Sequence, residues 1–426
     1  MRRPQPETVP TAQVRNQYER YPFPPLEIGA LQEVRPCQAD YAFAHYYQRG
    51  MFPAQQHPLI LDAGCGTGFS TLKLAELNPT AQIVAVELSA ASQEIARNRL
   101  KQAGHEERVT WIRGDLQERD LLRDYAGAFD YVHSSGVIHH IPHAARALKN
   151  MRNALKSNGM GYFMVYARHA RHQIQQIQDI LYMLWQDHED WPAGVRCCRQ
   201  FFEQLPATHE LNQFYVRTRN KMKYMLGEIA ADSDAFLVDT YLQRCEHLWD
   251  VDAWFDLLQA HHWHPGRWLD EASWDVGHYL KDLKHVLEGT DRPARARLRL
   301  AERLRPPHNF SLFVEGSHVE GVQKQPVSAP MEVLPETVCR HFLCFRIQQQ
   351  RGRYFLNNQM GKQLVLSAEE VNLWQQLDGQ ATAQQLLDRL TSAEWDWPRL
   401  KKTLQLWLEL YLIAPIGLSS PRQLTE

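Results

Sequence analysis

Apolar and polar positions alternate between two rhythms along the first part of the chain. PLILDAG, QIVAVEL, RVTWIRGD, FDYVHSSG and MGYFMVYA are short apolar runs rich in β-branched and aromatic residues, and they read as strands. Between them STLKLAELN, ASQEIARNRLKQAG and HAARALKNMRNALKSNG carry helical patterns, which Asn78-Pro79, Gly104 and Gly159 are expected to stop. Strands alternating with helices predict an α/β fold, a parallel sheet with helices on both faces. From about residue 170 to 260 the pattern is helical, and HQIQQIQDILYMLW shows the first clear 3.6-residue period. HPGRWL and NFSLFVEG read as two more strands, with the basic, helical KDLKHVLEGTDRPARARLRLAERL between them.

The ends of the chain follow other patterns. Prolines in NQYERYPFPPL (16–26) exclude a continuous helix there. GSHVEGVQKQPVSAPMEVLPE (316–336) is poor in large apolar residues and reads as a linker. Beyond it HFLCFRIQQ, GRYFLNN and KQLVLS predict three strands, and EEVNLWQQLDG, TAQQLLDRLT and WPRLKKTLQLWLELYLI three helices. The expected organisation is an arm or lid (1–50), a core (51–169), a helical insertion over the pocket (170–260), the end of the sheet (261–315), the linker, and a small C-terminal α+β module (337–426).

Composition narrows the class. The chain has 426 residues, 44% hydrophobic and 23% charged, with a net charge of −2, which suits a globular protein and gives no bulk attraction to nucleic acid or membrane. No apolar run is long enough to span a bilayer, and no apolar stretch follows the two N-terminal arginines as in a signal peptide. Seven scattered cysteines without a C-x-x-C pair predict reduced thiols and a cytoplasmic protein. The cluster His261-His262-Trp263-His264 lacks metal-ligand spacing, so no metal is expected.

LDAGCGTGFS (61–70) is the chemical signal. A dinucleotide fingerprint needs G-x-G-x-x-G, but Phe69 stands at its third glycine position and Gly68 comes one residue early. A phosphate loop is excluded, since no G-K-[ST] follows and no Lys or Arg lies between Leu59 and Thr71. Asp62 ends the strand, and a carboxylate there suits an ammonium group. Glu87, at the end of the second strand, is placed to accept two ribose hydroxyls, and Asp115, after the third, to accept from an exocyclic amine. A ligand with an amine, a ribose and an adenine but no phosphate fits S-adenosylmethionine.

Residues 59–167 resemble the class I S-adenosylmethionine-dependent methyltransferases, in a subgroup with D-x-G-C-G-T-G. The resemblance covers about a quarter of the chain and implies a Rossmann-like sheet with a helical insertion. It implies that Asp62, Gly64, Cys65, Gly66 and Gly68 hold the methionyl part and Glu87 the ribose. Leu88, Asp115 and Leu116 would frame the adenine, and Ser134 would lie under the sulfonium. In a subgroup of larger bacterial members an aromatic N-terminal segment covers the cofactor, which implies that role for Tyr18, Tyr21 and Phe23. His139 and His140, after the fourth strand, and Tyr166, ending the fifth, are the candidate catalytic residues; an imidazole can serve as a base.

The stretch from FLNNQMG to LLDRL, with its LDG-x-x-T turn, resembles the winged-helix peptide-recognition domains related to the carrier-peptide chaperone of pyrroloquinoline quinone biosynthesis. That resemblance implies an extended peptide pairing with a sheet edge. The expected activity is methyl transfer to a peptide or protein acceptor. A small-molecule acceptor is the second expectation, and a non-catalytic S-adenosylmethionine-binding regulator the third.

Overall fold

The computed structural model of the protein describes residues 3–27, 34–280, 294–317, 332–357, 363–390 and 394–416. Most of the expected linker, and the first part of the basic helical stretch, lie outside the described residues. The chain divides into two compact units. One draws on the described residues of Met1–Glu33, Pro58–Ala75 and Ala81–His318, the other on those of Val34–His57, Glu76–Thr80 and Val319–Glu426. Residues 34–57, expected as arm and start of the core, thus cluster with C-terminal residues.

The first unit is built on a seven-stranded sheet. Its strands are β1 (Leu59–Ala63), β2 (Gln82–Glu87), β3 (Val109–Arg113), β4 (Phe129–Ser135), β5 (Leu155–Tyr166), β6 (His264–Trp268) and β7 (Asn309–Glu315), in the order β3-β2-β1-β4-β5-β7-β6. β1 to β5 are parallel, while β7 runs antiparallel to both β5 and β6. The near-continuous apolar runs of the sequence reflect burial on both faces, as in a sheet covered by helices. One boundary differs from expectation. The helix expected to run to Gly159 ends at Ala154, and Leu155 already pairs with Phe129. A Cβ on Gly159 would lie 2.6 Å from the Leu155 side chain, so this glycine lets β5 bulge back over Leu155 rather than ending a helix.

No continuous helix runs through residues 16–26, as expected: the helix Thr11–Arg20 ends before their prolines. The N-terminal segment is fastened to the sheet's flanking helices at two points. The Glu19 carboxylate accepts the Ala90 and Ala91 amides, at 2.6 and 2.9 Å, on the N-terminus of helix Ala90–Gln102, where a negative charge is favoured. The Arg99 guanidinium, nearly fully buried, donates to the carbonyls of Thr67, Leu26 and Glu27. Thr67 itself donates through its hydroxyl to Pro24 O at 2.7 Å. The arm therefore lies against the turn that follows β1.

Helices His172–Leu184, Trp191–Gln204, Glu210–Leu226, Glu228–Asp232 and Asp234–Tyr241 form the insertion, around a core that includes Ile177, Leu181, Trp191, Phe202 and Phe236. The chain then passes along the ends of β4 and β5. His247 N donates to His139 O (2.8 Å), and Arg168 N to Trp249 O (2.8 Å).

In the second unit the helix Tyr41–Arg49 is capped by Asp40, which accepts from Phe43 N at 3.1 Å. Its Phe43 packs edge-on against Phe342 and Phe345. The C-terminal part contains β8 (Val338–His341), β9 (Ile347–Gln350), β10 (Arg353–Asn357), β11 (Gln363–Leu366), β12 (Asp378–Thr382) and β13 (Ile413–Ile416). They form two three-stranded sheets, β11-β10-β9 and β12-β8-β13. This departs from the expected three strands followed by three helices. HFLCFRIQQ is broken because Phe342 and Phe345 turn into the aromatic cluster and Cys344 N donates to Asp40 (3.0 Å). The LDG-x-x-T stretch is a strand beside β8, with Thr382 capping the next helix, rather than a turn between helices.

Arg99 is the tie whose removal tests the packing of the arm. Arg99→Ala should lower stability by about 2–4 kcal/mol, since charge-assisted hydrogen bonds to three carbonyls are lost together. Urea unfolding measures the loss, and limited proteolysis should show new cleavage within residues 20–27. Equal stability and unchanged cleavage would mean that the guanidinium does not hold the arm.

Candidate functional site

The strand order reverses at β1 and β4, where open α/β sheets form a crevice beyond the carboxyl ends of their strands. The glycine turn leaves β1 at that place. Gly64, Gly66 and Gly68 all have positive φ (84°, 53° and 83°), a conformation that other residues rarely adopt. Each also meets a close neighbour. A Cβ would lie 2.4 Å from the Val137 side chain at Gly64, 2.5 Å from Phe23 O at Gly66, and 2.7 Å from Ala96 Cα at Gly68.

The turn is held from β2. Gly64 N and Cys65 N both donate to Val86 O (2.9 Å each), and Gly66 N donates to the Glu87 carboxylate at 2.8 Å. The other Glu87 oxygen accepts Ser89 N at 2.9 Å. Burial raises the Glu87 carboxyl above its ordinary range, while the amides of Ser89 and Gly66 pull it back. A carboxylate offers about four acceptor directions, so two amides leave room for the hydroxyl pair of a ribose. No Lys or Arg stands in the turn. These residues fit S-adenosylmethionine.

The other expected cofactor residues fall in three groups. Asp115 and Leu116 follow β3; Asp115 is half-buried and accepts the backbone N–H of Gln117, while Leu116 is buried. Leu88 packs in a small cluster with Tyr18, Val9, Val14 and Cys245. Asp62, Ser134 and Cys65 face inward. Asp62 accepts the hydroxyls of Ser70 and Thr71 (2.7 Å each), with His133 Nδ1 at 3.4 Å, and Ser134 donates to Ala63 O at 3.0 Å. Burial, with Glu87 and Asp62 nearby, pushes the Cys65 thiol well up, so it stays protonated. Tyr21 leaves the group: its ring packs with Trp191 of the insertion, 6.2 Å between centroids. The arm reaches the glycine turn through the carbonyls of Phe23 and Pro24 instead, because the hydrogen-bonding groups at Thr67 need acceptors.

Beside the turn lies a cluster of rings. His139 stacks on Tyr166 (3.6 Å between centroids) and touches His140 (4.1 Å); Tyr18 lies 6.3 Å from His140. Burial holds His139 well below the ordinary imidazole range, and the charges of His140, Arg171 and His247 push the same way, so His139 is neutral. Tyr166 is pushed up by burial and by Asp239, so it stays protonated and is no base near neutral pH. The Arg171 guanidinium lies 3.5 Å from the Tyr166 ring centroid and pairs with Glu246 at 2.9 Å. The Tyr18 hydroxyl donates to Asp239 (3.1 Å) and accepts from Gln243 (3.0 Å).

Arg171, Asp239, Gln243 and Glu246 were not among the expected site residues. One of them had a signal. AFLVDTY (235–241) is buried at every position, and Asp239 stands inside it. An acid in the middle of a buried apolar helix needs partners of its own. The others carried no signal, since their partners come from distant segments.

Comparisons with known proteins find similarity to methyltransferases. Residues 61–160 match the family model described as a methyltransferase domain. The chain is 34% identical over 201 residues to the Synechococcus protein syc1184_c, and 38% identical over 100 residues to the phycocyanin operon protein W of Pseudanabaena tenuis. The first match covers 46% of this chain and 47% of the relative, the second 22% and 89%. A malonyl-[acyl-carrier protein] O-methyltransferase of Legionella pneumophila is 36% identical over 100 residues, covering 24% of this chain and 33% of that protein. The chain thus spans less than half of the first and third of these relatives. PKMT2 from Rickettsia typhi shares the fold, with a TM-score of 0.56 at 14% identity over 90% of this chain and 76% of that one; another structure of PKMT2 holds AdoHcy. The glycine turn, the acid after β2 and the strand order all lie in or around the matched region. Residues 61–160 are thus a methyltransferase domain, of the class I, S-adenosylmethionine-dependent kind.

Proposed function

We propose that this protein transfers a methyl group from S-adenosylmethionine to a peptide or protein acceptor. The observation that carries the first half is the glycine turn tied to Glu87 at the reversal of strand order. In this reading the turn holds the methionyl part and Glu87 the ribose. Leu88, Asp115 and Leu116 border the adenine, and Tyr18 closes the pocket from the arm. Asp62 and Ser134 act from beneath, by fixing the turn and β1. When bound, S-adenosylmethionine supplies an electrophilic methyl group on a sulfonium. The protein's part is then to position the acceptor, to exclude water and to take a proton where the nucleophile carries one.

The acceptor class rests on the second unit. β11 is an edge of its sheet, and Val365 on it is 54% exposed. An apolar edge strand is a ready partner for an extended peptide. The resemblance of this stretch to peptide-recognition domains supports the same reading. Cutting the module away would be a poor test, because Phe43 packs on Phe342 and Phe345 and would be left bare. A point change is better. Val365→Lys should leave affinity for S-adenosylhomocysteine unchanged by calorimetry. It should raise KM for a full-length peptide acceptor by roughly tenfold, the effect of about 1.4 kcal/mol of lost binding. A short fragment of that acceptor should be methylated as before. Equal use of the full-length acceptor by both proteins would remove the edge strand from recognition. Turnover only with small metabolites would favour the second expectation, and cofactor binding without any turnover the regulator.

The cofactor roles have their own test. Glu87→Ala should weaken S-adenosylmethionine binding by about 1.5–3 kcal/mol, the range for hydrogen bonds to a charged group. Because Glu87 also anchors Gly66 N and Ser89 N, part of this loss comes from the loosened turn. An adenosine analogue without the two ribose hydroxyls separates the contributions. If Glu87 holds the ribose, the analogue's deficit shrinks in the variant; if the two losses add, Glu87 acts on the turn alone.

A further inference from the structure

The two adjacent histidines after β4 are held in different ways. His140 Nδ1 lies 2.8 Å from Cys245 O. A carbonyl only accepts, so Nδ1 carries the hydrogen, and in the neutral ring Nε2 holds the lone pair. Among the described residues Nε2 makes no hydrogen bond. The segment that supplies the carbonyl is itself fixed, since His247 N donates to His139 O and the His247 ring reaches the carbonyls of Ile141 and Pro142 at 3.1 Å. His139 has no such orientation. Both its nitrogens are buried without a partner, and its ring lies flat on Tyr166.

We propose that His140, rather than His139, takes the proton of the methyl acceptor, and that Asp239 is the positioning residue that prepares it for this. The inference rests on the methyl-transfer reading above and names the base within it. The nucleophilic atom of the acceptor forms its bond to the methyl carbon, the electrons of the carbon–sulfur bond stay on sulfur, and the displaced proton goes to Nε2. An imidazolium then stands in a nearly dry cluster and needs a counter-charge. Glu246 is committed to Arg171. Asp239 is the other acid of the cluster; its hydrogen-bonded partner is the neutral Tyr18 hydroxyl, and its charge acts on His140. Burial pushes the Asp239 carboxyl up, while His140, Tyr18 and Arg171 bring it back. The groups that face His140 are His139 on its own turn, Tyr18 from the arm, Tyr166 at the end of β5, Asp239 from the insertion, and His247 after it. Arg171 lies over the Tyr166 ring and pairs with Glu246.

The test reads the ring itself, in the full-length protein. With histidine side chains labelled with 15N, the His140→Gln variant identifies the His140 signals. The expected result is a protonated Nδ1 and an unprotonated Nε2 in the neutral ring. Asp239→Asn should move the midpoint of the His140 titration to lower pH, because the counter-charge is gone. Tyr18→Phe should shift it in the same direction, because burial then pushes the Asp239 carboxyl further toward its neutral form and the counter-charge weakens. Tyr18→Phe also serves if Asp239→Asn does not fold. A His140 ring with the hydrogen on Nε2, or a midpoint unmoved in the folded variants, overturns the inference. Calorimetry with S-adenosylhomocysteine keeps the two readings apart. A protein that binds it without this tautomer overturns the inference alone, and a protein that does not bind it overturns the methyl-transfer reading.

Discussion

The glycine turn after β1 depends on three amides being held by the end of β2. Val86 O takes those of Gly64 and Cys65, and Glu87 takes that of Gly66. A backbone with three positive φ values in five residues would otherwise expose its donors to a nearly dry crevice, at a cost comparable to lost hydrogen bonds. One carboxylate therefore does two things at once. It satisfies a buried donor of the turn and keeps acceptor capacity directed at whatever occupies the crevice. This explains why an acid stands at the end of a strand whose other described residues, after Gln82, are apolar.

The arm and the insertion meet at the ring cluster from distant parts of the sequence. Glu19 docks on a helix N-terminus and Arg99 gathers three carbonyls, so the arm is fixed by charge-assisted bonds rather than by apolar burial alone. The insertion has its own apolar core, which supports the polar groups it carries. On that support Asp239 and Gln243 meet Tyr18, and Glu246 meets Arg171. Polar groups that come from three separate segments can be satisfied together only when all of those segments are in place. Such a network ties the order of the site to the order of the fold.

The sheet and the turn were legible in the sequence because their signals are local. Apolar runs, stop residues and glycines at fixed offsets lie within a few residues of one another, and the strands stand where the patterns put them. Ala154 and Gly159 show the limit: a glycine reads as a helix stop, but its φ is not left-handed and it serves a bulge instead. The tyrosines of the arm show another. Tyr18 and Tyr21 are three residues apart on one pattern, yet one meets Asp239 and the other Trp191, 221 residues further on in the first case. No local rule distinguishes them. The C-terminal module failed for a similar reason, because aromatic packing around Phe43, from far upstream, breaks a run that reads as one strand.

Charge accounting sets what the ring cluster can accommodate. Its fixed charges among the described residues are Arg171, Glu246 and Asp239, and the first two cancel at contact distance. Asp239 is left to be balanced by hydrogen bonds, by a proton, or by a positive charge that arises nearby. A group carrying its own negative charge would enter this site against Asp239, with little water to screen the repulsion. A neutral nucleophile that gives up a proton, or a cationic ligand beside it, meets no such penalty. In the reading proposed above, such a site suits reactions in which positive charge enters or is created, and the helical insertion, by contributing Asp239 and cancelling Arg171 with Glu246, would set that preference.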